Sequence, residues 1–244
     1  MLIDTHFHMD LMENMQSLIK QFRVAEMGVI AVGTTPLAYK RELQFVEGTE
    51  NIRIGLGFHP QLVEQRESEI NLFLQQLESA KYIGEVGLDF NKDYIGARTQ
   101  QLLCFQRISK KCAIEGEKVL SIHSVRAVGP VTEVLKEAGT FRSCKCIFHW
   151  FTGTASERRI AIENGAYFSI NSKMLKTKSG QNTIRNIPID RMLLETDAPF
   201  TMKFNSVSDL HNELKNIARG ISYIRGEDIV SRIEENSMHI FEEK

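Results

Sequence analysis

Short apolar runs alternate with longer stretches of helical periodicity along this sequence. The runs near 2–5, 28–33, 52–57, 82–86, 118–122, 145–149, 166–170 and 191–195 have the length of buried strands. Between them, 12–26, 36–47, 67–79, 97–115, 126–138, 154–164 and 181–186 read as helices. Within 97–115, Leu102, Leu103, Phe105, Ile108, Cys112 and Ala113 recur at three- and four-residue spacing, the apolar stripe of a helix. The tail 206–242 predicts two further helices, the last around Asp228–Phe241. Alternating strands and helices imply parallel strands joined by right-handed crossovers. Eight such units favour an α/β fold closed into a TIM (β/α)8 barrel over an open sheet, and neither G-x-G-x-x-G nor G-x-x-x-x-G-K-[ST] occurs to suggest an open nucleotide-binding sheet. No repeat, low-complexity tract or linker breaks the alternation, so residues 1–244 are expected to form a single domain.

The apolar runs end on an unusual set of side chains. His6 and His8 stand in DTHFH, Glu85 in GEVGLD, His123 in LSIHS, His149 in CIFHW and Asp197 in LLETDAP. In a parallel barrel the strand C-termini converge on one face, where side chains from distant segments meet. Four imidazoles and two carboxylates there are a donor set for divalent metal, which at an open barrel face points to hydrolysis. Residues i and i+2 of a strand share a side, so both imidazoles of H-x-H can reach one ion. Asp4 has the same parity and is expected to support a ligand from behind. Glu85 sits between glycines after an apolar run, where an unpaired carboxylate would be costly. It is also able to bridge two ions. Asp197 is expected both to ligate metal and to take a proton from the attacking water.

Composition adds little and excludes some classes. The 244 residues are 42% hydrophobic and 25% charged, enough for a sizeable core, with a net charge of −1 that gives no global case for nucleic-acid or membrane binding. No basic and apolar leader opens the sequence, and nowhere do about 18 apolar residues run together, so neither a signal peptide nor a membrane span is expected. Cys104, Cys112, Cys144 and Cys146 lack zinc-knuckle spacing and read as free thiols of a cytoplasmic protein.

Taken in order, DTHFH, GFHP (57–60), GEVGLD (84–89), IHSVRA (122–127), FHWFTG (148–153) and ETDAPF (195–200) closely resemble the motifs of the TatD family of metal-dependent deoxyribonucleases, over about residues 1–202. The resemblance implies an amidohydrolase-like barrel with one or two divalent ions (Mg²⁺, Mn²⁺ or Zn²⁺) and exonuclease-type cleavage of DNA phosphodiesters. Position by position, it implies that His6 and His8 hold one ion with Glu85 and Asp197. His123 and His149 would hold a second, with Glu85 shared, and His59 would lie near the scissile phosphate. Two departures stand out. Trp150 follows His149 where the family usually has a small residue or cysteine, and TMKFNSVSDL replaces the usual proline- and arginine-rich loop after ETDAPF. The segment Ile170–Lys178, together with Trp150, is most similar to the TatD-type member of the Qat anti-phage defence system, which implies protein partners of a defence system.

Phosphate contacts are expected from Arg126, three residues past His123, and from Lys173, Lys176 and Lys178 in the loop after the seventh strand. Phe90, Trp150 and Phe151 are candidates for stacking on a terminal base. A few cations suit a short grip on an exposed or single-stranded end better than long duplex binding, and a monomer is expected. Two other functions use the same residues: hydrolysis of an amide, ester or aminoacyl bond, and a non-catalytic metal-binding subunit of a larger complex.

Overall fold

The computed structural model describes residues 1–242. In chain order the elements begin β1 (Leu2–Phe7), α1 (Met15–Phe22), β2 (Met27–Val32), α2 (Pro36–Phe45), β3 (Ile52–Leu56), α3 (Val63–Arg66), α4 (Ile70–Leu77) and β4 (Tyr82–Asp89). They continue α5 (Arg98–Glu115), β5 (Val119–Val125), α6 (Val128–Ala138), α7 (Thr140–Ser143), β6 (Lys145–His149) and α8 (Ala155–Glu163). The last are β7 (Tyr167–Ile170), α9 (Ser172–Leu175), α10 (Lys178–Asn186), β8 (Met192–Leu194), α11 (Val207–Arg225) and α12 (Val230–Phe241). The eight strands form one parallel sheet ordered β1 to β8, the strand order of a (β/α)8 barrel.

By compactness the chain falls into two units: Met1–Val32 with Lys40–Ile54 and everything from Phe168 onward, and Gly33–Tyr39 with Gly55–Tyr167. In the first unit β1 lies beside β8. Thr5 Oγ1 donates to Leu194 O at 2.8 Å, Asp197 N to His6 O at 2.9 Å, and His8 N to Ala198 O at 3.0 Å. Helix α12 packs behind these strands. A Cβ on Gly28 would lie 2.8 Å from Ile3 and 2.9 Å from the Phe241 ring, so the bare backbone there admits α12. Asn236 anchors the same helix by donating to Ile189 O and Met192 O.

In the second unit β4 and β5 run in register on both sides of a break between Ile83 and Val86. Gly87 has φ +142°, and a Cβ there would lie 2.0 Å from His123 O. Only glycine permits that approach, and the irregularity re-aims Glu85. Strand β1 has a matching shift between Asp4 and Phe7, around His6.

Several expected boundaries move. The helix expected over 12–26 is Met15–Phe22, preceded by a 3-10 turn at Met9–Leu11. Asn51 Nδ2 takes up the carbonyls of Phe22 and Ala25 at 2.9 and 2.7 Å, so a side chain from far along the sequence finishes this helix. The stretch 67–79 breaks into a 3-10 turn at Glu67–Glu69 and α4. In α5 the buried face is Gln101, Cys104, Phe105, Ile108, Ser109 and Cys112, while Leu103 is exposed. Gln101 is drawn inward because its Oε1 accepts from Asp89 N at 2.8 Å, which turns the helix relative to its apolar stripe. The lysine-bearing loop after β7 is two short helices. Asn171 caps α9 by accepting from Lys173 N and Met174 N, and Thr177 caps α10 by accepting from Gly180 N.

Candidate metal centre

Each unit gathers one group of ligand-type side chains. His6 and His8 flank the end of β1, His149 ends β6 and Asp197 follows β8. Glu85, expected at a strand end, sits in the middle of β4 because that strand runs on to Asp89, and His123 lies within β5. In the first unit, His6, His8 and Asp197 are all buried. His6 Nε2 and His8 Nε2 lie 3.2 Å apart, and Asp197 Oδ1 lies 3.7 and 3.6 Å from them. This near-equilateral triangle has a centre about 2.0 Å from every corner, the reach of zinc-type nitrogen and oxygen ligation. Two imidazole nitrogens and a carboxylate aimed at one point fit a divalent cation. Asp197 holds φ at +52°, a conformation uncommon for a side-chain-bearing residue, and its backbone bond to His6 fixes it there.

Asp4 braces this group. Its Oδ1 accepts from His6 N at 3.1 Å and Thr196 N at 3.0 Å, and its Oδ2 from Thr196 Oγ1 at 2.5 Å. Full burial pushes its carboxyl up to about 7, against the pull of these donors. Glu195, also fully buried, accepts from Ser169 Oγ and from Asn171 Nδ2 at 2.8 Å, which ties β8 to β7 and to the cap of α9.

In the second unit Glu85 is the hub. Its Oε1 lies 2.5 Å from His123 Nδ1 and 2.9 Å from His149 Nε2, and its Oε2 lies 3.4 Å from His59 Nε2. Burial opposes ionisation of Glu85, but the imidazoles of His59, His149 and His123 outweigh it and hold the carboxyl well below the usual range. Asp89 Oδ2 engages the far nitrogen of His123, Nε2, at 3.0 Å and accepts from Gln61 Nε2 at 2.7 Å. Desolvation alone would lower the His123 pKa; Glu85 and Asp89 raise it instead. His59 Nδ1 accepts from Gln61 N at 3.3 Å. That bond favours the proton on Nε2, which faces Glu85 Oε2 and makes His59 a hydrogen-bond donor there. Glu85, His123 and His59 nonetheless offer ligand atoms close enough together for a divalent cation, and His149 Nε2 meets the same Glu85 oxygen as His123.

The residues expected to touch substrate are placed unevenly. Arg126 is exposed at the end of β5, Trp150 half-buried at the end of β6, and both hold positive φ, of 52° and 38°. Lys173, Lys176 and Lys178 are exposed. Phe90 and Phe151 are buried, which removes them as stacking surfaces: Arg98 lies over the Phe90 ring at 4.7 Å, and Phe151 packs edge-on to Phe148. Asp89 and Glu195 lie inside GEVGLD and ETDAPF, but nothing in those motifs marks them as functional. Each acts by holding another side chain or another strand, for which a single sequence carries no signal.

Parallel strands in the order β1 to β8, carrying groups of ligand-type side chains, are the architecture of a barrel hydrolase that works with metal. The sequence model of TatD related DNases matches residues 3–242, and the chain belongs to that family: it is a metal-dependent hydrolase of the TatD type. An uncharacterised metal-dependent hydrolase of Buchnera aphidicola is 29% identical over 82% of this chain and 78% of its own. A 3′-5′ ssDNA/RNA exonuclease TatD of Pantoea vagans is 27% identical over 93% of this chain and 92% of its own. Among solved structures, a TatD homologue from Escherichia coli superposes with a TM-score of 0.82 at 20% identity, covering 98% of this chain and 97% of that one. Among the described residues no helix is long and apolar enough to cross a membrane.

Proposed function

We propose that this chain is a metal-dependent deoxyribonuclease that removes nucleotides from exposed or single-stranded DNA ends. The observation that carries the reading is the triangle of His6 Nε2, His8 Nε2 and Asp197 Oδ1, whose edges of 3.2, 3.7 and 3.6 Å suit one divalent ion. The Glu85, His123 and His149 group would hold a second. So imidazole-rich a donor set favours zinc over magnesium. When bound, such ions activate water and neutralise charge developing on the phosphoryl oxygens. Asp197 accepts the proton of the attacking water, and Glu85 keeps its carboxylate ionised for ligation. His59 donates from Nε2 to a phosphoryl oxygen. Arg126 and Lys173 neutralise phosphates, and Trp150 contacts the sugar or base of the end being cut.

The reading is supported by family membership and by the exonuclease name of the Pantoea relative. That residues 1–244 act as a single domain is part of the same proposal, supported by the family match over 3–242. The similarity of Ile170–Lys178 and Trp150 to the Qat member supports a role in anti-phage defence beside protein partners.

The test sets metal-reconstituted protein against end-labelled single- and double-stranded DNA and, in parallel, ester, amide and aminoacyl substrates. Metal-dependent loss of labelled ends, abolished by chelator, is the expected result. Acyl hydrolysis with DNA left intact would contradict it and favour the carbonyl hydrolase.

A further inference from the structure

We propose that Phe200 is the platform on which the terminal base of the DNA substrate stacks. This rests on the deoxyribonuclease reading and adds a residue that the metal chemistry does not require. Phe200 is 62% exposed, three residues after Asp197, and its ring stands perpendicular to that of His8 with centroids 5.1 Å apart. The exposure is not that of a frayed loop. Phe200 N and Thr201 N both donate to Asp197 O, at 3.0 and 3.2 Å, and Thr201 Oγ1 donates to Thr196 O. Ala198 before it and Phe204 after it are both buried. An anchored segment thus holds a large apolar ring out to solvent beside a candidate ligand.

Phenylalanine has no polar handle, so only a flat or apolar partner gains from its surface. A nucleobase is such a partner. Stacking on an aromatic face tolerates any base, as an end-directed nuclease of broad sequence range requires. Phe90 and Phe151 are packed away, and two other exposed aromatics sit elsewhere: Phe45 on α2 under Arg41, and Tyr223 on α11. Exposed Lys203, three residues on, adds a cation for the backbone of the same strand.

The test compares wild type, Phe200→Ala and Phe200→Trp, all metal-reconstituted, on short single strands whose terminal nucleotide is either intact or abasic, each end in turn. Metal content is measured for every protein. Phe200→Ala is expected to raise KM about tenfold on the intact strand with kcat within about twofold, and Phe200→Trp to restore it. Removing the terminal base should raise KM for wild type by a similar factor and have little further effect in Phe200→Ala. An unchanged KM in Phe200→Ala, or an equal penalty on intact and abasic ends, overturns the proposal while leaving the nuclease intact. Lower metal content in Phe200→Ala overturns it in favour of a packing role against His8. Wild type that neither binds nor cuts DNA overturns the deoxyribonuclease reading and this inference with it.

Discussion

Asp89 holds the far side of the His123 ring: its Oδ2 lies 3.0 Å from His123 Nε2, while Nδ1 of the same ring faces Glu85. A carboxylate behind an imidazole fixes the tautomer and orientation and raises the basicity of the ligating nitrogen. In the proposed metal centre Asp89 would hold the ring through Nε2, so that Nδ1, which faces Glu85, is turned toward the ion. Asp89→Ala is expected to weaken binding of one of two divalent ions about 10- to 100-fold, as read by calorimetric titration. Unchanged affinity for both would return Asp89 to a purely structural role.

Asp4 braces His6 and Thr196 from a fully buried position. Asp4→Ala leaves three donors in the interior without their acceptor, and each orphaned group costs about 1 kcal/mol or more. A loss of roughly 3 kcal/mol in urea unfolding is expected. A loss below about 0.5 kcal/mol would show that the brace is replaceable.

Glu42 on α2 lines a small cavity with Met9, Ala31, Val46 and Ile54, and neither of its carboxyl oxygens has a hydrogen-bond partner. Burial, then the nearby Asp10 carboxyl, push it from 4.5 to about 7. The unfolded chain ionises Glu42 as pH rises past the lower value, whereas the folded chain does so only near the higher one. This group's share of stability is therefore whole at acid pH, lost progressively as pH rises to about 7, and level above that. Glu42→Gln should match wild type near pH 4 and exceed it above pH 7 by up to about 3 kcal/mol. Parallel stability curves for the two proteins would contradict this.

The alternation of apolar runs with helical stretches was enough for eight strands in order, because strands buried on both faces leave an unmistakable apolar run in a parallel barrel. The candidate ligands were legible for a related reason: a histidine or carboxylate that ends such a run has few other uses. What stayed hidden was long-range. Asn51 finishing α1, Gln101 turning α5 toward Asp89 and Asp4 binding Thr196 are contacts across the fold that no local spacing encodes. Exposure was equally illegible. Phe90, Phe151 and Phe200 look alike as letters after strand ends, yet two are packed and one stands in solvent.

The assignment of metal-driven hydrolysis rests most heavily on Asp197, whose Oδ1 completes the triangle with His6 and His8. The direct test is cleavage of end-labelled DNA by metal-reconstituted wild type beside Asp197→Asn, with metal content and thermal stability measured on both. The account predicts a folded variant that retains at least part of its metal and loses about a hundredfold or more in rate, since it lacks the proton acceptor. Wild-type turnover by Asp197→Asn at full metal loading would contradict it.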